Sequence, residues 1–174
     1  MRQYNPAVSH VEHKAQAPAS IRCYVLTVSD TRTAGTDTSG RAIRDLLTAA
    51  GHSISGDAIV RDEPDAVTSI VQRALADAGT QVIITTGGTG ITSRDGTFEA
   101  IDRLLEKRLD GFGELFRMLS FGEIGAAAMM SRATAGTAAG KAIFVLPGSE
   151  NAIRLAMTRL ILPELGHVAQ QIAK

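Results

Sequence analysis

The sequence holds one cysteine, Cys23, among its 174 residues. A lone thiol excludes an internal disulfide framework. Set in the run Ile21-Arg22-Cys23-Tyr24-Val25-Leu26, it reads as a small buried hydrophobe. An excess of charge is missing too, because 18 Lys and Arg balance 18 Asp and Glu. That argues against a nucleic-acid partner held by bulk electrostatics. It leaves room for a local positive pocket around a small phosphorylated ligand. No apolar run reaches the length of a membrane span, and residues 1–20 lack the apolar core of a signal peptide. No membrane partner is expected, and the expected location is cytoplasmic. No Cys/His set has zinc-site spacing, and no G-x-S-x-G nucleophile elbow occurs.

What is there fits one domain. A chain of this length buries roughly 70% of its unfolded surface without staples. Residues 1–19 are polar, carry Pro6 and Pro18, and show no sustained period. They are expected to be a flexible tail before a single domain over 20–174, or an arm onto a neighbouring subunit. His10, Glu12 and His13 lie in this tail without a metal-site spacing.

Strand patterns cover Ile21 to Val28, Ser53 to Val60, Gln81 to Thr86 and Lys141 to Leu146, with a shorter one near Ala133 to Ala138. Helical patterns alternate with them. One runs near Ser39 to Ala50, with Ser39 as its cap and Gly51 as its stop. Pro64 opens the next, and a third runs near Thr97 to Glu106. Residues 109–131 read as two helical pieces broken at Gly122. A last helix after Ser149 is expected to be interrupted at Pro163. Leu109, Phe112, Leu115, Phe116 and Leu119 form a helical stripe for the core or for a subunit interface. The alternation predicts an α/β fold, a three-layer α/β/α sandwich with a mostly parallel sheet.

In such sheets ligands bind beyond the carboxyl ends of the strands. Four strand ends then share one edge. They carry Ser29-Asp30, Asp62-Glu63, the loop Gly87 to Asp95, and Pro147-Gly148-Ser149. The loop Gly87-Gly88-Thr89-Gly90-Ile91-Thr92-Ser93-Arg94-Asp95 is the most telling stretch. Glycine lets backbone amides approach an anion closely, because no Cβ intervenes. The hydroxyls of Thr85, Thr86, Thr89, Thr92 and Ser93 suit a ligand rich in acceptors. Arg94 adds a cation for phosphate. The loop lacks the third glycine of a dinucleotide fingerprint, and Gly136 to Ala142 fails the Walker A spacing and reads as a hairpin turn. Asp62 and Asp95 each precede a helix start, where a carboxylate also favours the dipole. Facing each other across the sheet edge, they suit Mg²⁺ shared with substrate phosphates.

At these residues the chain resembles the molybdopterin-binding domain family of molybdenum cofactor biosynthesis. The resemblance rests on Thr85 to Gly90, Arg94-Asp95, Gly111-Phe112-Gly113-Glu114 and Leu146-Pro147-Gly148-Ser149. Phe116 to Phe121 and Glu123-Ile124-Gly125 are similar to its protein B branch. Phe98 stands where the family frequently has proline. The similarity spans about residues 21–166. It implies a three-layer α/β fold, assembled as a homotrimer or as paired trimers in a homohexamer, with other cofactor-biosynthesis proteins as further partners. It implies molybdopterin as ligand, ATP as co-substrate and Mg²⁺ as cofactor. Adenylylation of the pterin's terminal phosphate is the implied reaction. Asp62 and Asp95 match the family's functional aspartates, and Gly87 to Gly90 its pterin-phosphate site. A non-catalytic pterin carrier and an oligomeric scaffold with a vestigial site are the alternatives on the same fold.

Overall fold

The computed structural model describes residues 17–92 and 95–174. Strands β1 (Arg22–Val28), β2 (Ser53–Val60), β3 (Val82–Thr86), β4 (Lys107–Arg108), β5 (Thr134–Ala138) and β6 (Lys141–Leu146) form one sheet in the order β2-β1-β3-β6-β5-β4. Neighbours from β2 to β6 run parallel, and β5 and β4 close the sheet antiparallel. The helices are α1 (Thr38–Ala49), α2 (Pro64–Ala76), α3 (Thr97–Asp102), α4 (Asp110–Ile124), α5 (Glu150–Ala156) and α6 (Leu162–Ile172).

The central strands are apolar on both faces, because helices cover both. Side chains alternate between the two. Val82, Ile84, Phe144 and Leu146 point into the core shared with α1, α4, α5 and α6. Ile83, Ile143 and Val145 point into the core under α2 and α3. This is the three-layer α/β/α arrangement with a mostly parallel sheet. Among the described residues, no helix is long and apolar enough to cross a membrane.

Local chemistry departs from the sequence expectation at several points. The cap of α1 is Asp37, whose carboxylate accepts the Gly40 N–H at 2.8 Å and the Thr27 hydroxyl at 3.0 Å. Ser39 is not the cap; its hydroxyl donates to the Gly148 carbonyl at 2.8 Å. The third helix stops at Asp102, and the short β4 follows it, too brief to show a period. Helix α4 runs straight through Gly122, where a solvated helix tolerates glycine for about 1 kcal/mol. The break comes at Gly125, at φ +61°, and a 3₁₀ turn over Gly125–Met130 follows. The β5–β6 turn falls on Ala139-Gly140, while Gly136 to Ala138 are strand.

Pro163 does not interrupt the last helix. Proline lacks an N–H and crowds the carbonyl four residues back. A π-helical turn over Met157–Ile161 absorbs that conflict, and the Leu162 N–H donates to Met157, five residues back. The helix then continues to Ile172.

The 109–119 stripe divides between two roles. Phe116 is buried, and Leu109, Phe112 and Leu119 pack against the core. The outer side of α4 stays apolar and open, with Met118 62%, Phe121 63% and Ile124 60% exposed. Met129 and Met130 extend this surface across the 3₁₀ turn.

Candidate functional site

Parallel pairing brings the carboxyl ends of β1, β2, β3 and β6 to one edge. The loops leaving them are tied together by hydrogen bonds. Ser29 N–H donates to the Val60 carbonyl at 2.8 Å, and Gly87 N–H to the Leu146 carbonyl at 3.1 Å. Thr86 hydroxyl donates to the Pro147 carbonyl at 3.0 Å. Asp62 N–H donates to the Asp30 carboxylate at 3.2 Å.

Two glycines are fixed by geometry. Gly87 sits at φ +93°, and a Cβ there would lie 2.1 Å from the Val28 carbonyl oxygen. Gly88 sits at φ +64°, and a Cβ there would lie 2.5 Å from Thr97 Cβ. Both carry a conformation and a proximity that an L side chain resists.

Gly87 to Gly90 and Pro147 to Ser149 line one cavity of about 440 Å³, closed on its far side by Phe116, Ser120 and Ile124. A smaller recess of about 80 Å³ lies beside it, where Ser29, Asp37, Thr86, Gly87 and Gly148 meet. The N–H groups of Gly88, Thr89, Gly90 and Ile91 donate to no acceptor among the described residues. Such unpaired successive amides make an anion-binding concavity.

The aspartates lie outside the larger cavity's lining, on the loops flanking it. Asp62 accepts the Thr97 hydroxyl at 2.7 Å. Asp95 accepts the Thr92 N–H at 2.8 Å and its hydroxyl at 2.5 Å, with the carboxylate packed on Gly90. Thr97 is two residues from Asp95, within about 7 Å of chain. The Asp62 carboxylate is therefore bonded to the first residue of α3, just after the loop that Asp95 closes. Ser93 and Arg94 lie outside the described residues, as do residues 1–16 of the expected tail.

Most of the hydroxyls expected to face a ligand serve the protein instead. Thr86 and Thr92 are bonded as above, and Ser149 caps α5 by accepting the Ala152 N–H at 3.3 Å. Ser29 accepts the Thr31 and Arg32 N–H groups at 3.2 Å each. Thr85 is fully buried, and its hydroxyl oxygen has no partner. It lies within the sheet, away from the loop.

Sequence reasoning missed Thr97, Asp37 and Arg132. Thr97 and Asp37 carried readable signals, a hydroxyl at a helix start and an Asp three residues before a helical N–H. Arg132, just before β5, carried none. Its Nε donates to the Thr89 carbonyl at 3.0 Å, and its guanidinium pairs with Glu99 and lies 4.7 Å over the Phe98 ring. Burial alone would raise the Glu99 carboxyl, but its own N–H and the Arg132 charge outweigh burial and hold it below the usual range.

Among the described residues, no group of three or more His, Cys, Asp or Glu side chains could cage a metal. The carboxylates present fit a different use. Mg²⁺ is commonly held by one or two carboxylates plus substrate phosphates, and Asp62 and Asp95 supply oxygen donors of that kind.

Comparison with known proteins shows the family. Residues 24–167 match the family described as "Probable molybdopterin binding domain". Molybdenum cofactor biosynthesis protein B of Bacillus subtilis is 52% identical over 164 residues, 94% of this chain and 96% of that one. A crystal structure of a molybdenum cofactor biosynthesis protein B superposes with a TM-score of 0.87 at 49% identity, covering 90% of this chain and 98% of the other. The tungsten cofactor synthesizing protein MoaB from Pyrococcus furiosus superposes at 0.82 with 37% identity, over 91% of this chain and all 100% of its own. The chain belongs to the molybdopterin-binding domain family, within its molybdenum cofactor biosynthesis protein B branch.

Proposed function

We propose that this protein acts in molybdenum cofactor biosynthesis by binding molybdopterin and adenylylating its terminal phosphate. The observation that supports this best is the cluster of unpaired loop amides, Asp95 and the Asp62–Thr97 pair at one sheet edge. In this reading the loop Gly87 to Gly90 receives the pterin phosphate on the N–H groups of Gly88 to Ile91, with Ser93 and Arg94, while Thr86 and Gly87 hold the loop to Pro147 and Leu146 at the end of β6. Ser29, Asp30 and Pro147 to Ser149 complete the walls. A phosphate oxygen of the pterin attacks the α-phosphorus of ATP. The new P–O bond forms as the bond from that phosphorus to the β-bridging oxygen breaks, and pyrophosphate leaves.

Reactions of this kind run on positioning and charge neutralisation rather than on a covalent nucleophile. Asp62 and Asp95 would hold Mg²⁺, which when bound offsets the charge of the ATP phosphates. Thr97 and Thr92 orient those two carboxylates. The open apolar side of α4 is assigned to contact with further copies of this chain, as a trimer or a pair of trimers. An exposed patch of that kind is typical of an association surface. The working location is the cytoplasm.

The test is pyrophosphate release and AMP transfer with purified molybdopterin, ATP and Mg²⁺. Wild type is expected to turn over, and Asp62→Asn and Asp95→Asn to lose turnover. Tight pterin binding without turnover would replace the enzyme by a carrier. Intact trimers with neither property would leave a scaffold.

A further inference from the structure

We infer that Arg132 is a positioning residue that aims the glycine-loop amides at the bound anion; this rests on the reading that the loop receives a phosphate. Its guanidinium reaches the loop from the far end of the chain's 3₁₀ turn. Nε donates to the Thr89 carbonyl at 3.0 Å, and Nη2 donates to the Gly90 carbonyl. Nη2 also reaches the Asp95 carbonyl at 3.5 Å. Nη1 pairs with Glu99, and the Phe98 ring supports the plane from one face. One planar cation thus holds backbone on the glycine side of the loop and on the aspartate side.

In a trans peptide the carbonyl and the following N–H point in opposite directions. Drawing the Thr89 and Gly90 carbonyls toward Arg132 therefore turns the Gly90 and Ile91 N–H groups away from it. Those N–H groups have no acceptor among the described residues. Arg132 lines a cavity of about 470 Å³, whereas Gly87 to Gly90 line the 440 Å³ one, and Ser131 borders both. The cation thus lies outside the lining of the cavity that the loop faces. It touches neither reacting atom in this arrangement, so its contribution is geometric. The guanidinium takes the two adjacent carbonyls from two separate nitrogens while the third pairs with Glu99; a lysine ammonium is a point charge on a flexible stem and cannot match that fixed fork.

The experiment uses the full chain with Arg132→Lys and Arg132→Ala. Backbone ¹⁵N order parameters without ligand are expected to fall at residues 88–91 in both variants, while β1, β3 and β6 stay rigid. Molybdopterin titration, followed by pterin fluorescence, is expected to show roughly tenfold weaker binding or worse in Arg132→Lys, the scale of losing bonds to a charged donor. Added guanidinium ion is expected to restore part of the affinity of Arg132→Ala and none of that of Arg132→Lys. Unchanged order parameters at the loop, or wild-type affinity in Arg132→Lys, would overturn the inference. So would failure of both variants to fold, which would make Arg132 a stability residue only. Wild type that binds no pterin would sink the functional reading instead, and the order parameters of the loop would still judge Arg132.

Discussion

Replacing Gly88 by alanine separates two costs that one glycine carries. The backbone at Gly88 has φ +64°. An L residue held there loses roughly 1–2 kcal/mol. The new Cβ would also lie 2.5 Å from Thr97 Cβ and 2.6 Å from its hydroxyl oxygen. Thr97 is fully buried and bonded to Asp62, so it has no free direction in which to yield. Overpacking of this kind costs typically about 1–3 kcal/mol. Together the expected loss is near 3 kcal/mol. For a chain of 174 residues, at roughly 3 °C per kcal/mol, that lowers Tm by about 10 °C. Gly51→Ala is the control, because Gly51 sits at φ +84° with nothing within 4 Å of the added Cβ. It should lose only the backbone share, about 4 °C. Thermal unfolding by circular dichroism reads both. If Gly88→Ala melts no lower than Gly51→Ala, the contact with Thr97 is not what makes Gly88 a glycine.

Thr97→Val keeps the shape and removes the donor to Asp62; a loss of about 1.5–3 kcal/mol is expected from the denaturant midpoint, the scale of a hydrogen bond to a charged group. Burial pushes the Cys23 thiol up to about 12. Native protein at pH 8 should therefore resist thiol reagents that label it rapidly once unfolded. Because the unfolded thiol ionises first, near 8.5, the Cys23 contribution is intact below that pH and is lost as pH climbs toward about 12; Cys23→Ala should flatten that alkaline slope. Burial lowers the His52 pKa, and its Nδ1 accepts the Ile21 N–H at 3.2 Å. The unfolded chain then binds the proton first, so stability should fall as pH drops below about 6.5, and His52→Asn should lessen the difference between melts at pH 7.5 and pH 5.5.

Strands β1, β3 and β6 were legible because their two-sided burial leaves largely continuous apolar runs, and they fall within a residue of their sequence patterns, as does the half-exposed edge strand β2. Gly87 and Gly88 were legible because punctuation after a strand has few causes. What escaped depends on long-range partners. Ser39 and Asp37 both suit a helix cap, and only the Thr27 hydroxyl and the Gly148 carbonyl, on distant segments, decide between them. Pro163 looked like a stop because the π turn that accommodates it has no sequence period of its own. Arg132 lies 43 residues along the chain from Thr89 and 42 from Gly90, whose carbonyls it holds. No local pattern links such positions.

The fate of the threonines bears on how the loop would recognise a ligand. A hydroxyl at a buried site must find a partner or cost stability. Among the buried threonines, Thr86 and Thr97 find theirs in Pro147 and Asp62 and Thr85 finds none, while the exposed Thr92 hydroxyl bonds Asp95. Each bond joins two segments leaving different parts of the chain or closes the loop on itself. Three hydroxyls therefore hold the loop and its carboxylates in place before any ligand arrives, and the donors left open on the loop's cavity are the backbone N–H groups of Gly88 to Ile91 with the Thr89 hydroxyl beside them. Backbone donors do not reorient, so little ordering is lost when an anion docks against them. A site built this way discriminates by the position of negative charge rather than by matching hydroxyl for hydroxyl. The same economy explains why the residues around the loop are small: a side chain at Gly87, Gly88 or Gly90 would strike Val28, Thr97 or Asp95 before it could touch a ligand.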